Sequence, residues 1–152
     1  MKRIFFIVLL LSVLMTAPII AGQAGLTSVK SAHSVAVTAD RLVDILAEKG
    51  MTVFLRLNHA DGAAGAGITL RPTELIIFGN PKVGGPLMQQ QQTIGIDLPQ
   101  KMLIWQDASG QVWLTYNEAD YLAERHGLAK DLPQFGKVRK ALAAFAQAAG
   151  GP

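Results

Sequence analysis

The stretch LRPTELIIFGNPKVGGPLM, Leu70 to Met88, decides the fold. Its centre, Leu75 to Phe78, is apolar at every position. Successive residues of a strand point to opposite faces, so such a short run predicts an interior strand. Gly79-Asn80-Pro81 ends it. As a tight turn, the glycine would supply positive φ, the asparagine a left-handed residue, and the proline a pre-set φ. Lys82 to Gln91 is then predicted as a short helix, weakened by Gly84, Gly85 and Pro86.

Upstream, Met51 to Asn58 alternates, with Met51, Val53, Leu55 and Leu57 on one side and Thr52, Phe54, Arg56 and Asn58 on the other. A helix is predicted before it. Thr38 is its N-cap, Asp40 lies in its first turn, Lys49 in its last, and Gly50 ends it. Leu42, Ile45 and Leu46 form its sheet-facing side. Val29 to Val37 reads as the first strand region. Between His59 and Gly67 the small residues suit one or two helical turns packed closely on the sheet. Their spacing is G-x-x-G-x-G rather than the dinucleotide fingerprint, and no phosphate-loop lysine follows, so no nucleotide cofactor is expected.

Downstream, Lys101 to Gln106 and Gln111 to Tyr116 form a predicted hairpin through Asp107-Ala-Ser-Gly110. Asn117 is placed as the cap of a helix with Glu118 and Asp120 in its first turn and Arg125 and His126 in its last, stopped by Gly127. Pro133 starts a final helix whose apolar stripe is Phe135, Val138, Leu142 and Phe145, with Lys137, Arg139 and Lys140 on its basic face. The sum is a single α+β domain of about five mostly antiparallel strands with helices packed on one face. An open parallel α/β sheet is the alternative.

The N-terminus reads as an export signal over residues 1–24. Lys2 and Arg3 precede an apolar run, Ile4 to Met15, that is short for a membrane span; Pro18 and the small residues Ala21, Gly22 and Ala24 follow. Cleavage after Ala24, with cleavage after Ala21 as the alternative, leaves one domain over residues 25–152, no stable membrane span, and a periplasmic or secreted protein; the rival reading is an uncleaved N-terminal anchor. Lys2 and Arg3 supply two of the three formal charges, so the mature net charge falls to about +1. That small surplus, without a basic stripe interleaved with aromatics, argues against nucleic acid. With no cysteine, disulfides and thiol nucleophiles are excluded. With three histidines and no H-x-H or H-x-x-x-H pair, a metal centre is not expected.

The block Gly50 to Leu128 resembles the bacterial family catalogued as domain of unknown function 302. The resemblance is carried by GMTVFLRLNHADGAAGAG, LRPTELIIFGNPKVGGPLM, IGIDLP, the hairpin W-x-D-x-x-G-x-V-W-L-x-Y-N from Trp105 to Asn117, and YLAERHGL. It implies a small exported α+β domain, a homodimer, and no agreed activity. The family's recurrent polar positions fall here on His59, Asn80, Pro81, Lys82, Asp97, Tyr116, Asn117 and His126.

Six of these are candidate ligand-binding residues. His59, between a strand and a small-residue turn, can serve as base, ligand or donor; alternatively it fixes the turn. Asn80 offers donor and acceptor and Lys82 a cation, on a loop after a buried strand; alternatively they only make the turn. Asp97 is a general base or an Asx-turn acceptor. Tyr116 belongs to the hairpin aromatics, which pack in a core or dimer interface or form a ligand platform. His126 is a binding residue or a cation favoured by a helix C-terminus. The functional reading is a dimeric, exported module binding a small, anionic ligand without a cofactor. The alternatives are an acid/base enzyme using His59 or Asp97, and a purely structural accessory domain.

Overall fold

In the computed structural model, which describes residues 24–152, the chain lays down β1 (Leu26–Ser31), α1 (Val35–Glu48), β2 (Thr52–Asn58), α2 (His59–Gly65), β3 (Thr73–Gly79) and α3 (Pro81–Gln90). A 3-10 turn over Gln92–Ile96 leads to β4 (Gln100–Gln106), β5 (Val112–Asn117), α4 (Ala119–Arg125) and α5 (Pro133–Gly150). The expected signal, residues 1–24, lies outside the described residues except for Ala24.

The strands form one sheet in the order β1-β5-β4-β3-β2, with every neighbouring pair antiparallel. This is the α+β arrangement; the antiparallel pairing sets aside the open parallel sheet. α1 carries the chain from one edge of the sheet to the other, and the chain then walks back through β2, β3, β4 and β5 to meet β1. The inward side chains are Ile76 and Phe78 of β3, Met102 and Ile104 of β4, and Leu114 and Tyr116 of β5. They pack on Leu42 and Leu46 of α1 and on Phe135, Leu142 and Phe145 of α5. Phe78 meets Phe145 edge-on at 6.0 Å and 72°. Each such aliphatic or phenyl side chain contributes about 1.5–3 kcal/mol relative to exposure. The opposite face carries Leu55, Leu57, Leu75, Ile77, Leu103 and Trp105, of which Leu55 and Leu57 are 45% and 39% exposed.

Local expectations fail where tertiary packing sets the boundary. α1 starts at Val35 rather than after Thr38, with Ser34 as N-cap accepting from the Val37 amide. Val35, Ala39, Leu42 and Leu46 all reach the core at helical spacing, which outweighs the strand preference of two valines. Thr38 lies inside the helix, its hydroxyl bonded to the Ser34 carbonyl at 2.8 Å and to the Ser31 hydroxyl at 2.7 Å.

β2 does not keep its alternation. Val53 opposes Phe78 while Leu55 opposes Ile77, so a bulge at Phe54 puts Val53 on the helix side and Leu55 and Leu57 on the open side. Arg56 thereby faces inward and binds Glu74 and Asp40, each at 2.6 Å. The glycines of α2 and the one just past it do not serve close packing: a Cβ at Gly62, Gly65 or Gly67 would meet nothing within 4 Å. Asn117 stays in β5 opposite Leu26, and the α4 N-cap is Glu118, whose carboxylate accepts from Thr27 instead of capping.

Candidate functional site

β3 delivers Phe78 inward, and the chain turns at once into α3. Asn80 makes that turn, but not as a left-handed residue. Its φ is −138°, its Oδ1 accepts from the Lys82 amide at 2.9 Å, and its Nδ2 donates to the Gly50 carbonyl at 3.2 Å. It is thus the N-cap of α3 and a tie to the end of α1, with Pro81 at the first helical position where its missing N–H costs nothing.

β4 begins at Gln100, paired in register with Phe78 and so facing the same side. α5 passes behind with Val138, Ala141, Leu142 and Phe145. Between β3, α3, the loop before β4, and α5 lies a cavity of about 360 Å³. Gly84 of α3 is at its wall and brings no side chain to fill it. The wall is otherwise mostly apolar, with Phe54, Phe78, Leu87, Leu98 and Phe145 contributing. Its polar members are Asn80, Gln100 and Lys137. Asn80 is occupied by its capping bonds. Gln100 is only 8% exposed, and its side-chain amide has no hydrogen-bond partner among the described residues. Lys137 is exposed at the rim and forms no ion pair among the described residues.

The Leu98–Pro99 wall is clamped from both ends. Asp97 is 8% exposed; its Oδ2 meets His126 Nε2 at 2.6 Å, and its Oδ1 lies 3.4 Å from Arg125. His126 is the C-cap of α4 and is 9% exposed, with Nδ1 at 3.3 Å from the Thr93 hydroxyl. On the other side, Lys101 Nζ donates to the carbonyls of Asp97 and Pro99 at 2.8 and 3.0 Å. Burial lowers the Lys101 ammonium below its ordinary pKa, and the charge of Asp97 opposes that.

The six candidates therefore separate. Asn80 lines the cavity, and Asp97 and His126 bind each other and hold its wall. Lys82 is exposed outside the lining. Tyr116 is buried under the helices, where burial raises its phenol pKa. His59 opens α2, half-buried, and lines neither the cavity nor a shallower hollow formed by Ser34, Asn58, Asp61 and Glu74. Among the described residues no three His, Asp or Glu side chains gather as a metal site. Gln100 and Lys137 escaped the sequence reading. The signal for Gln100 was a polar residue in phase with Met102 and Ile104; for Lys137 it was adjacency to Val138 of the apolar stripe.

The family model described as Domain of unknown function DUF302 matches residues 27–149. Fluoride-specific ion channel FluC 1 of Brucella suis biovar 1 (strain 1330) is 52% identical over 112 residues, covering 72% of this chain and 44% of that protein. FluC 1 of Brucella abortus biovar 1 (strain 9-941) is also 52% identical over 112 residues, covering 72% and 42%. The chain thus spans less than half the length of the curated relatives it matches. The crystal structure of an uncharacterized conserved protein DUF302 from Bacillus stearothermophilus superposes with a TM-score of 0.75 at 17% identity, covering 84% of this chain and 99% of that one. At that identity the likeness concerns the fold.

Proposed function

The chain belongs to the family Domain of unknown function DUF302, and from that premise we propose that it is an exported, dimeric module that binds a small ligand in the cavity beside Asn80. The observation that carries this reading is a cavity of about 360 Å³, within the size range of small-molecule sites, with the Gln100 amide in its wall making no hydrogen bond among the described residues. A stable core normally fills such space. The dimer uses the open sheet face, where Leu57, Leu75, Ile77, Leu103 and Trp105 form an apolar surface. Export rests on the signal-like N-terminus. No helix among the described residues is long and apolar enough to cross a membrane.

The acid/base reading is less well supported, because Asp97 is engaged by His126 and neither Asp97 nor His59 lines the cavity. The accessory-domain reading draws on one observation, the match to part of fluoride-specific ion channels. An apolar cavity does not suit a small, strongly hydrated anion, so in that role the module acts by contact with a channel rather than by holding fluoride.

The test is native mass spectrometry of the protein purified as its own cells process it, beside Ala141→Phe, which plugs the cavity. One added small mass per chain, absent from the variant, supports the binding module. A bare chain that also fails to take up an apolar fluorescent probe sinks it.

A further inference from the structure

The geometry points to a linear amphiphilic carboxylate as the class of ligand, its alkyl part against Phe54, Phe78 and Phe145 and its carboxylate met by Gln100 and Lys137. This deepens the binding-module reading and rests on it. At roughly 30 Å³ for each water-sized group, a cavity of about 360 Å³ takes a chain of about a dozen heavy atoms. Most of the wall offers only carbon, so most of the ligand is hydrocarbon.

The polar end is defined by what the wall leaves unpaired. Gln100 is more than nine-tenths buried, with its side chain facing the cavity and without a partner among the described residues. Its amide is not sealed from solvent, since the only fully buried side-chain polar atom without a partner among the described residues is Gln134 Oε1, so it is free to bond to a ligand in the cavity. Lys137 adds one positive charge at the rim. One amide and one ammonium suit the single charge and two oxygens of a carboxylate. A phosphate head is disfavoured, since anion binding at a helix start needs free amides, and the Lys82 amide of α3 is already taken by Asn80.

Titration calorimetry with decanoate, decanol and decyltrimethylammonium tests this. Decanoate is expected to bind at least about tenfold more tightly than decanol, the gain of a hydrogen bond to a charged group, and the cation more weakly than either. Lys137→Glu, an exposed change that leaves the core untouched, should remove that preference while keeping decanol binding. Gln100→Leu should weaken decanoate severalfold, and circular dichroism checks its fold. Equal binding of the three probes, or a decanoate preference that survives Lys137→Glu, overturns the carboxylate assignment but leaves the binding module standing. No binding of any probe, in wild type and in Ala141→Phe alike, overturns both.

Discussion

Replacing Asp97 by alanine separates a clamp from a catalyst. The Asp97 and His126 side chains are 11% and 6% exposed, and their contact is 2.6 Å. Removing one partner of a well-buried pair costs about 3–5 kcal/mol, and a hydrogen bond to a charged group contributes about 1.5–3 kcal/mol. The residual solvent access and the half-exposed Arg125 beside it place Asp97→Ala at the low end, about 3 kcal/mol. In a domain of this size that lowers Tm by about 10 °C. Urea unfolding, followed by the fluorescence of Trp105 and Trp113, gives the number. His126→Ala should cost a similar amount. The double variant should cost well under the sum, because the second deletion removes a group that already lacks its partner. The coupling should be about 2 kcal/mol. Since the clamp holds the Leu98–Pro99 wall, Asp97→Ala should also loosen uptake of an apolar probe by the cavity. A coupling below about 0.5 kcal/mol, with each single variant near wild-type stability, refutes the clamp.

Three further expectations are independent of that one. The Asp107 carboxyl is held down at about 2 from 3.8, first by the Ser109 hydroxyl and then by the Trp113 indole N–H. A depressed acid stabilises the fold above its unfolded pKa, and that stability is lost as pH falls through its folded value. Hence Asp107→Asn should flatten the acid loss of stability between about pH 4 and pH 2, read by tryptophan fluorescence; an unchanged acid limb rejects this assignment. Gly150→Ala would put a Cβ 2.8 Å from the Lys30 carbonyl oxygen and 3.0 Å from Leu114 Cδ1, so α5 must shift from β1 at about 1–3 kcal/mol; unaltered urea unfolding contradicts it. Ile77→Arg, in the middle of the open sheet face, should shift sedimentation from dimer to monomer with little change in circular dichroism, whereas a persistent dimer places the interface elsewhere.

Much of the fold was legible because it is written in period and punctuation. The apolar run before Gly79-Asn80-Pro81 is an interior strand. Gly50 at φ 67° and Gly127 at φ 64° stand just past the C-caps of α1 and α4. Pro133 starts α5, and Phe135, Val138, Leu142 and Phe145 are its buried stripe. The misplacements were at Thr38, Phe54 and Asn117. There the local signal was sound, but a neighbour decided the outcome: the core for Val35, the partner strand for the bulge, and β1 for Asn117.

The candidate site divides in the same way. Sequence alone determined that Asn80 sits where a strand hands over to a helix, since turn chemistry depends on adjacent residues. It did not determine that Asp97 belongs to His126, 29 residues away, or that Gln100 and Lys137 share a cavity with Asn80. Those relations depend on the sheet order and on where α5 lies behind it. Neither has a local signature, because a cavity is a property of surfaces that meet only after the chain has folded.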